Sequence, residues 1–208
     1  MSEPVVGESG PAPPAAGPAG LRRVPLVNVA NGLTVLRIGL IPVFVALMIA
    51  GQMTRPGWRM AAGITFVAAS LTDFADGRIA RAFGLVTSFG KVADPIADKA
   101  LTGTALVLLS WYGALPWWVT AVILTREIGV TLLRFWVIRH GVIPASRGGK
   151  AKTALQILAI AWYICPFPAW AAAIGPWLMA IATVVTVATG VDYVTRALQV
   201  RRGARAEG

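Results

Sequence analysis

Four of the nine acidic residues in this 208-residue chain lie within 26 positions of one another, in two pairs. Asp73 and Asp76 are three residues apart, and Asp94 and Asp98 are four apart. On an α-helix such spacings place both members of a pair on one face. Four converging carboxylates form a site of hard oxygen ligands, suited to Mg²⁺ or Mn²⁺ and able to hold two ions. Cysteine and histidine are absent from this stretch of sequence, which argues against zinc.

Nearby basic residues offer an alternative explanation for the same acids, because ion pairs would also neutralise them. The cations concerned are Arg78, Arg81, Lys91 and Lys99. Ion pairing alone does not account for the helical spacing of both acid pairs, nor for Gly84 and Gly90, at which the chain can reverse between them. We therefore predict a metal site at this reversal.

A second set of residues could bind a phosphate group, because its members are basic and lie next to or within apolar stretches. They are Arg37, Arg126, Arg134, Lys150 and Lys152. Arginine offers a planar fork to phosphate oxygens, and lysine offers a compact positive charge. The two lysines could instead belong to the excess of positive charge on the cytoplasmic side of a membrane. Arg126 could pair with Glu127 or with the acid pairs. Since Arg126 and Arg134 lie within an apolar stretch, we expect at least one of them to bind phosphate.

The composition indicates which elements must position these residues. Hydrophobic residues make up 56% of the chain and charged residues 13%, against about 25% charged residues in typical globular domains. Together with a mean hydropathy of +0.68, this predicts a membrane protein. The net charge of +10 could indicate nucleic-acid binding. The basic residues cluster beside apolar stretches, however, as expected for a membrane protein, so we exclude nucleic acid as a partner.

Six apolar stretches approach or exceed the length of about 20 residues that a membrane-crossing helix needs. They run at about 30–52, 58–81, 91–114, 116–139, 150–167 and 171–198. The sequence thus predicts an all-α, polytopic membrane protein with about six transmembrane helices. Basic residues cluster at both termini and after the second and fourth stretches, so both termini are predicted to be cytoplasmic. An aromatic belt at the opposite surface would consist of Trp111, Trp117, Trp118, Trp170 and Trp177.

The chain divides into three regions. Residues 1–24 form a tail rich in proline, alanine and glycine, predicted to be disordered and unlike a signal peptide. Residues 25–200 form the six-helix membrane domain, and residues 201–208 form a basic C-terminal tail. The acid pairs flank the connection between the second and third spans. The site should therefore face the cytoplasm, at the inner surface of the cell membrane.

The acidic segment also carries a family resemblance. Residues 73–98 read D-F-A-D-G-R-I-A-R, eight further residues, then G-K-V-A-D-P-I-A-D. This pattern, D-x2-D-G-x2-A-R-x8-G-x3-D-x3-D, resembles the motif of the CDP-alcohol phosphotransferase family at every fixed position. The N-G-L-T-V-L-R of residues 31–37 and other segments up to residue 156 are similar to the bacterial phosphatidylglycerophosphate synthases of that family. One departure is Ala30, where that subgroup usually has proline.

The resemblance implies roles for individual residues. Asp73, Asp76 and Asp94 would bind divalent metal, and Asp98 would both lie near the second ion and act as general base. The CDP-diacylglycerol substrate would be bound by Asn31, Thr34, Gly77, Ala80, Arg81 and Thr87. For Gly77 and Ala80, close helix packing is the alternative explanation, because small residues are common where membrane helices meet.

The acceptor alcohol is less narrowly implied. Resemblance to the subgroup implies glycerol 3-phosphate, and the five basic candidates would bind its phosphate. Phosphatidylglycerol, inositol phosphate and serine stay open as other acceptors of the same chemistry. A transporter that binds a coupling ion, or a non-catalytic membrane scaffold, are alternatives of other classes. Neither explains why the acids cluster at one connection. Homodimerisation is compatible with this size of membrane enzyme, but no interface can be identified from the sequence.

Overall fold

The computed structural model describes the backbone of residues 29–82, 88–137 and 147–206, and the side chains of residues 31–73, 94–133, 151–197 and 199. All regular secondary structure in these ranges is helical. The helices are α1 (Val29–Gly51), α2 (Pro56–Ala82), α3 (Ser88–Trp111), α4 (Trp117–Val137), α5 (Arg147–Ile164), α6 (Ala169–Ala172) and α7 (Gly175–Ala206). The all-α prediction is therefore confirmed.

The six long helices match the six predicted apolar stretches to within four residues, except at the end of the last. There α7 continues to Ala206, through most of the segment that the sequence assigned to a basic tail. The last stretch is also divided, because the four-residue α6 ends at Ala172 and α7 begins at Gly175. Between α3 and α4, Gly113 has φ +72°, a left-handed backbone conformation that glycine adopts without strain.

By length and composition, two stretches of the described residues are long and apolar enough to cross a membrane. Asn31–Gly51 has 21 residues with mean hydropathy 2.4, and Ala169–Ala197 has 29 residues with mean hydropathy 1.9. The other long helices carry charged side chains within their apolar sequences, such as Asp98 in α3 and Glu127 in α4. The number of spans and their orientation therefore stay predictions.

The apolar core lies where α1, α2, α3, α4, α5 and α7 meet. Phe44 of α1 and Phe66 of α2 are both fully buried, with ring centroids 5.7 Å apart. Leu106, Ile123 and Ile160 extend this core across α3, α4 and α5. On water-to-apolar transfer scales, burying a side chain of this size contributes about 1.5–3 kcal/mol to the free energy of folding. In a membrane this is an upper limit, because exposed apolar groups face lipid rather than water.

One end of the bundle is polar and the other is aromatic. The polar end collects the first halves of α1, α3 and α5 and the second halves of α2 and α4, as the contacts described below establish. At the other end, the tryptophans of the predicted belt are more than half exposed: Trp111, Trp117, Trp118, Trp170 and Trp177. Arg59 lies at this aromatic end and donates hydrogen bonds to the carbonyls of Tyr163, Ile164 and Cys165, which close the end of α5.

Candidate functional site

The side chain of Asp73 in α2 is held by α1. Arg37 donates from Nη1 to Asp73 Oδ1 over 2.6 Å, and Arg37 is fully buried whereas the Asp73 side chain is 38% exposed. The Arg37 Nε also donates to Thr72 Oγ1 at 3.5 Å. The Thr72 hydroxyl in turn donates to the Ala69 carbonyl within α2. The ion pair therefore joins two neighbouring helices and leaves part of the carboxylate accessible.

Asp94 in α3 is bound to the same face of α1. Its Oδ1 accepts a hydrogen bond from Thr34 Oγ1 at 2.6 Å, and Thr34 is buried. Asn31, Thr34 and Arg37 are spaced by three residues, and all are buried, while Val35 and Leu36 between them are exposed. The first turns of α1 thus present a polar face toward α2 and α3.

Asp98 completes a group of three described carboxylates. Asp73 lies close enough to both Asp94 and Asp98 for their charges to interact, although it belongs to a different helix. Like charges repel one another, so these three carboxylates need positive charge nearby. Arg37 supplies one positive charge, and Lys99 contributes another nearby.

The predicted metal site is tested by these positions only in part. Within residues 31–73, 94–133 and 151–197, no three acidic, histidine or cysteine side chains are placed so as to hold a metal ion. Asp73 and Asp94 are instead engaged by Arg37 and Thr34. The side chain of Asp76 lies outside the described residues. The four carboxylates would supply hard oxygen ligands, which fit Mg²⁺ or Mn²⁺. Coordination by all four aspartates stays a prediction.

A second polar group lies beside the first and centres on Glu127 of α4. Lys152 of α5 donates a hydrogen bond from Nζ to Glu127 Oε1 and forms an ion pair with it. Lys99 Nζ of α3 lies 3.9 Å from Glu127 Oε2, and Arg126 Nη1 lies 3.4 Å from Oε1. The Lys152 side chain is 6% exposed and that of Glu127 is 14% exposed. Three helices thus bring three cations around one partly buried anion.

This chain matches known proteins over most of its length. A family model described as CDP-alcohol phosphatidyltransferase matches residues 27–188. The chain belongs to the CDP-alcohol phosphatidyltransferase family. It is 50% identical over 179 residues to a probable phosphatidylglycerophosphate synthase of Mycobacterium tuberculosis strain H37Rv, with 85% of each chain covered.

Two further relatives extend the comparison to other bacteria. The CDP-diacylglycerol–glycerol-3-phosphate 3-phosphatidyltransferase of Bacillus subtilis is 36% identical over 184 residues, which cover 82% of this chain and 95% of the relative. The protein of the same name from Escherichia coli strain K12 is 35% identical over 176 residues, with 82% and 94% covered. The resemblance inferred from the acidic motif is therefore confirmed. Family membership and the two long apolar stretches together identify a membrane protein.

Several predicted site residues of this phosphatidyltransferase family member cannot be placed. The side chains of Asp76, Ala80, Arg81, Arg134 and Lys150, the surroundings of Gly77, and residue Thr87 as a whole lie outside the described residues. Of the predicted nucleotide contacts, Asn31 and Thr34 are described and buried, and Thr34 donates a hydrogen bond to Asp94. The described members of the predicted metal site and of the predicted nucleotide site thus lie at the same end of the bundle.

Arg126 has partners that the sequence analysis did not anticipate. Its Nε donates to the Thr186 carbonyl at 3.0 Å, and its Nη2 donates to Thr189 Oγ1 at 2.9 Å. Its aliphatic stem lies over Gly190, where an added Cβ would come within 2.9 Å of Arg126 Cγ. Arg126 is therefore fixed between α4 and α7. The predicted contact of Arg126 with phosphate stays a prediction, and only those guanidinium N–H groups that do not already donate to α7 or Glu127 could make it.

Glu127 is the residue that sequence reasoning undervalued. It entered only as an alternative partner for Arg126, whereas it contacts three cations. A signal was present in the sequence, because an acid inside an apolar stretch is by default a candidate functional residue.

Proposed function

We propose that this protein transfers the phosphatidyl group of CDP-diacylglycerol to glycerol 3-phosphate, giving phosphatidylglycerophosphate and CMP. One observation carries the proposal: Arg37 and Thr34 of α1 hold Asp73 of α2 and Asp94 of α3 on one face, in a chain 36% identical to a relative named for this reaction. The names of the other relatives agree with the same acceptor.

In this proposal the four aspartates hold two divalent metal ions, either Mg²⁺ or Mn²⁺. Asp73, Asp76, Asp94 and Asp98 would be the ligands, and the metal would neutralise charge on the oxygens of the transferred and leaving phosphates. Arg37 and Thr34 orient Asp73 and Asp94 through the contacts described above. Hydrogen-bonded partners of this kind commonly fix the orientation of ligating carboxylates.

Asp98 acts as the general base. Its carboxylate takes the proton of the attacking acceptor hydroxyl, whose oxygen forms a bond to the lipid-side phosphorus. The bond from that phosphorus to the oxygen of CMP breaks, and CMP leaves. A base in this position contributes about 10²–10⁴-fold to the rate in comparable enzymes.

The two substrates would occupy neighbouring parts of the polar end. Asn31 and Thr34 lie beside the acids and support binding of the nucleotide there, together with Gly77, Ala80, Arg81 and Thr87. The acceptor phosphate would lie toward the basic residues, of which Arg37, Arg126 and Lys152 are described. The proposal places this end at the cytoplasmic surface of the cell membrane, where the lipid tails can stay in the bilayer.

The direct test is CMP release by purified protein in detergent with CDP-diacylglycerol, Mn²⁺ and one acceptor at a time. We expect CMP with glycerol 3-phosphate and little with phosphatidylglycerol, inositol phosphate or serine. Asp98→Asn should lower the rate by at least about 100-fold. Asp192→Asn is the matched control, since Asp192 is half exposed and pairs with Arg196 far from the acids in sequence. CMP release with a different acceptor alone would refute the proposed acceptor, and full activity of D98N would refute the proposed base.

A further inference from the structure

The charge balance around Glu127 suggests what this second polar group is for. Lys99, Arg126 and Lys152 carry three positive charges, and Glu127 carries one negative charge, so the group has a net charge of +2. Asp98 also interacts with this group, and counting its charge lowers the net charge to +1, which still leaves the group cationic. A phosphate monoester carries about −1.5 to −2 at pH 7 and would neutralise such a group.

The three cations are not equally available to a ligand. Arg126 already donates to the Thr186 carbonyl, to Thr189 and to Glu127, which occupies most of its fork. Lys152 has three ammonium donors, and the bond to Glu127 uses one of them. Two N–H groups of Lys152 can therefore bind phosphate oxygens while the third keeps its bond to Glu127.

Glu127 cannot bind the phosphate itself, because two anions repel. Its effect must pass through the cations that it holds. Without Glu127, the ammonium of Lys152, whose side chain is only 6% exposed, would be a buried charge without its hydrogen-bonded anion, and only the interaction with Asp98 would remain. An uncompensated buried charge is unfavourable enough that the side chain would turn away or lose its proton.

We infer that Glu127 is a positioning residue that holds Lys152, beside Lys99 and Arg126, for the phosphate of a phosphomonoester acceptor. The inference rests on the proposed function, which supplies an acceptor of that class. It adds a residue that selects for a phosphorylated alcohol over one without a phosphate group, such as serine or glycerol.

The kinetic test uses Glu127→Gln, which removes the charge at constant shape. We expect the KM for glycerol 3-phosphate to rise about tenfold or more, as for loss of a buried charged contact, and the KM for CDP-diacylglycerol to change by less than about twofold. Glu127→Asp should recover part of the acceptor affinity, because it restores the charge. D192N is the control for loss of an ordinary ion pair and should leave both constants unchanged. Equal increases in the two KM values would overturn the inference.

A binding measurement separates positioning from a purely structural role. Inorganic phosphate should raise the thermal unfolding temperature of the detergent-solubilised wild-type protein and of D192N, but not that of E127Q. If E127Q unfolds at a lower temperature yet keeps the full shift with phosphate, Glu127 is only structural and the inference is wrong. This measurement needs no turnover. Loss of the phosphate shift in E127Q therefore supports the inference even if no CMP is released with glycerol 3-phosphate and the proposed function fails.

A double variant covers the case in which E127Q does not fold. E127Q/K152Q removes both members of the pair and leaves no unpaired buried charge from it. If Glu127 acts through Lys152, this variant should have the same KM for glycerol 3-phosphate as K152Q alone. A KM in the double variant well above that of K152Q would contradict the inference.

Discussion

Arg37 and Asp73 form an ion pair between α1 and α2, with Nη1 2.6 Å from Oδ1. The arginine is fully buried in a helix that is otherwise apolar enough to cross a membrane. A buried guanidinium is tolerated only with an anion and further hydrogen-bond partners, so Asp73 contributes to the stability of the fold. The same carboxylate is a proposed metal ligand, which makes Arg37 a link between stability and the site.

Arg37→Gln should destabilise the protein, because it leaves the first helix pair without its ion pair. We expect a loss of about 3 kcal/mol in the free energy of unfolding, the lower part of the range for buried pairs, since Asp73 stays partly exposed. Thermal unfolding in detergent measures it. The matched control is Arg196→Gln, which breaks an exposed pair to Asp192 and should cost less than about 1 kcal/mol. Similar losses in both variants would show that burial of Arg37 is energetically unimportant.

Thr34→Val should weaken metal binding without removing any of the four proposed metal ligands. The variant keeps the side-chain shape and removes the hydroxyl that donates to Asp94 Oδ1. Loss of such a supporting hydrogen bond typically lowers metal affinity by about 10–100-fold. Titrating CMP release against Mn²⁺ should show the shift in half-saturation, with the rate recovered at high Mn²⁺. Thr34→Ser retains the hydroxyl and should titrate like wild type. An unchanged Mn²⁺ titration of T34V would show that the hydrogen bond from α1 to Asp94 does not contribute to metal affinity.

Chelation should abolish activity reversibly. Treatment with EDTA should stop CMP release, and excess Mg²⁺ or Mn²⁺ should restore it, because charge on the phosphate oxygens must be neutralised during transfer. Added Ca²⁺, which accepts larger and less regular coordination, serves as the comparison ion. Turnover that continues at full rate in EDTA would contradict a metal-dependent mechanism.

Much of the helical framework could be predicted from the sequence. The apolar stretches located all six long helices, and Gly51, Pro56 and Pro116 lie at helix ends or between helices, as their residue types favour. Proline was not a reliable breaker elsewhere, since Pro42 and Pro95 lie inside α1 and α3. A lipid-facing helix tolerates proline when neighbouring helices or side chains satisfy the freed backbone groups, and this depends on tertiary packing.

The partners within the site were harder to predict than its members. The spacing of Asp94 and Asp98 placed them on one face, but it contains no information that Thr34, 60 residues earlier, donates to Asp94. Likewise Lys152 meets Glu127 across 25 residues. Such pairs depend on how α1, α3, α4 and α5 rotate against one another, and periodicity within a single helix does not determine that rotation.

Gly63→Ala tests the packing that holds α2 against α5, at the aromatic end of the bundle. An added Cβ would come within 2.8 Å of Cys165 Sγ, so either the sulfur or one of the helices must shift. We expect a loss of about 1–3 kcal/mol in the free energy of unfolding, as for other overpacked sites. Gly129→Ala is the control, because no atom lies within 4 Å of its added Cβ, and alanine there should be neutral or stabilise α4 by up to about 1 kcal/mol.

Cys165→Ala should reverse the sign of the Gly63 effect. With the sulfur removed, the methyl group that G63A introduces meets no atom at short distance, and the higher helix propensity of alanine is left. G63A/C165A should therefore be at least as stable as C165A alone, by thermal unfolding in detergent. If G63A destabilises the C165A variant as much as the wild type, then the close contact between Gly63 and Cys165 Sγ is not the cause of the destabilisation.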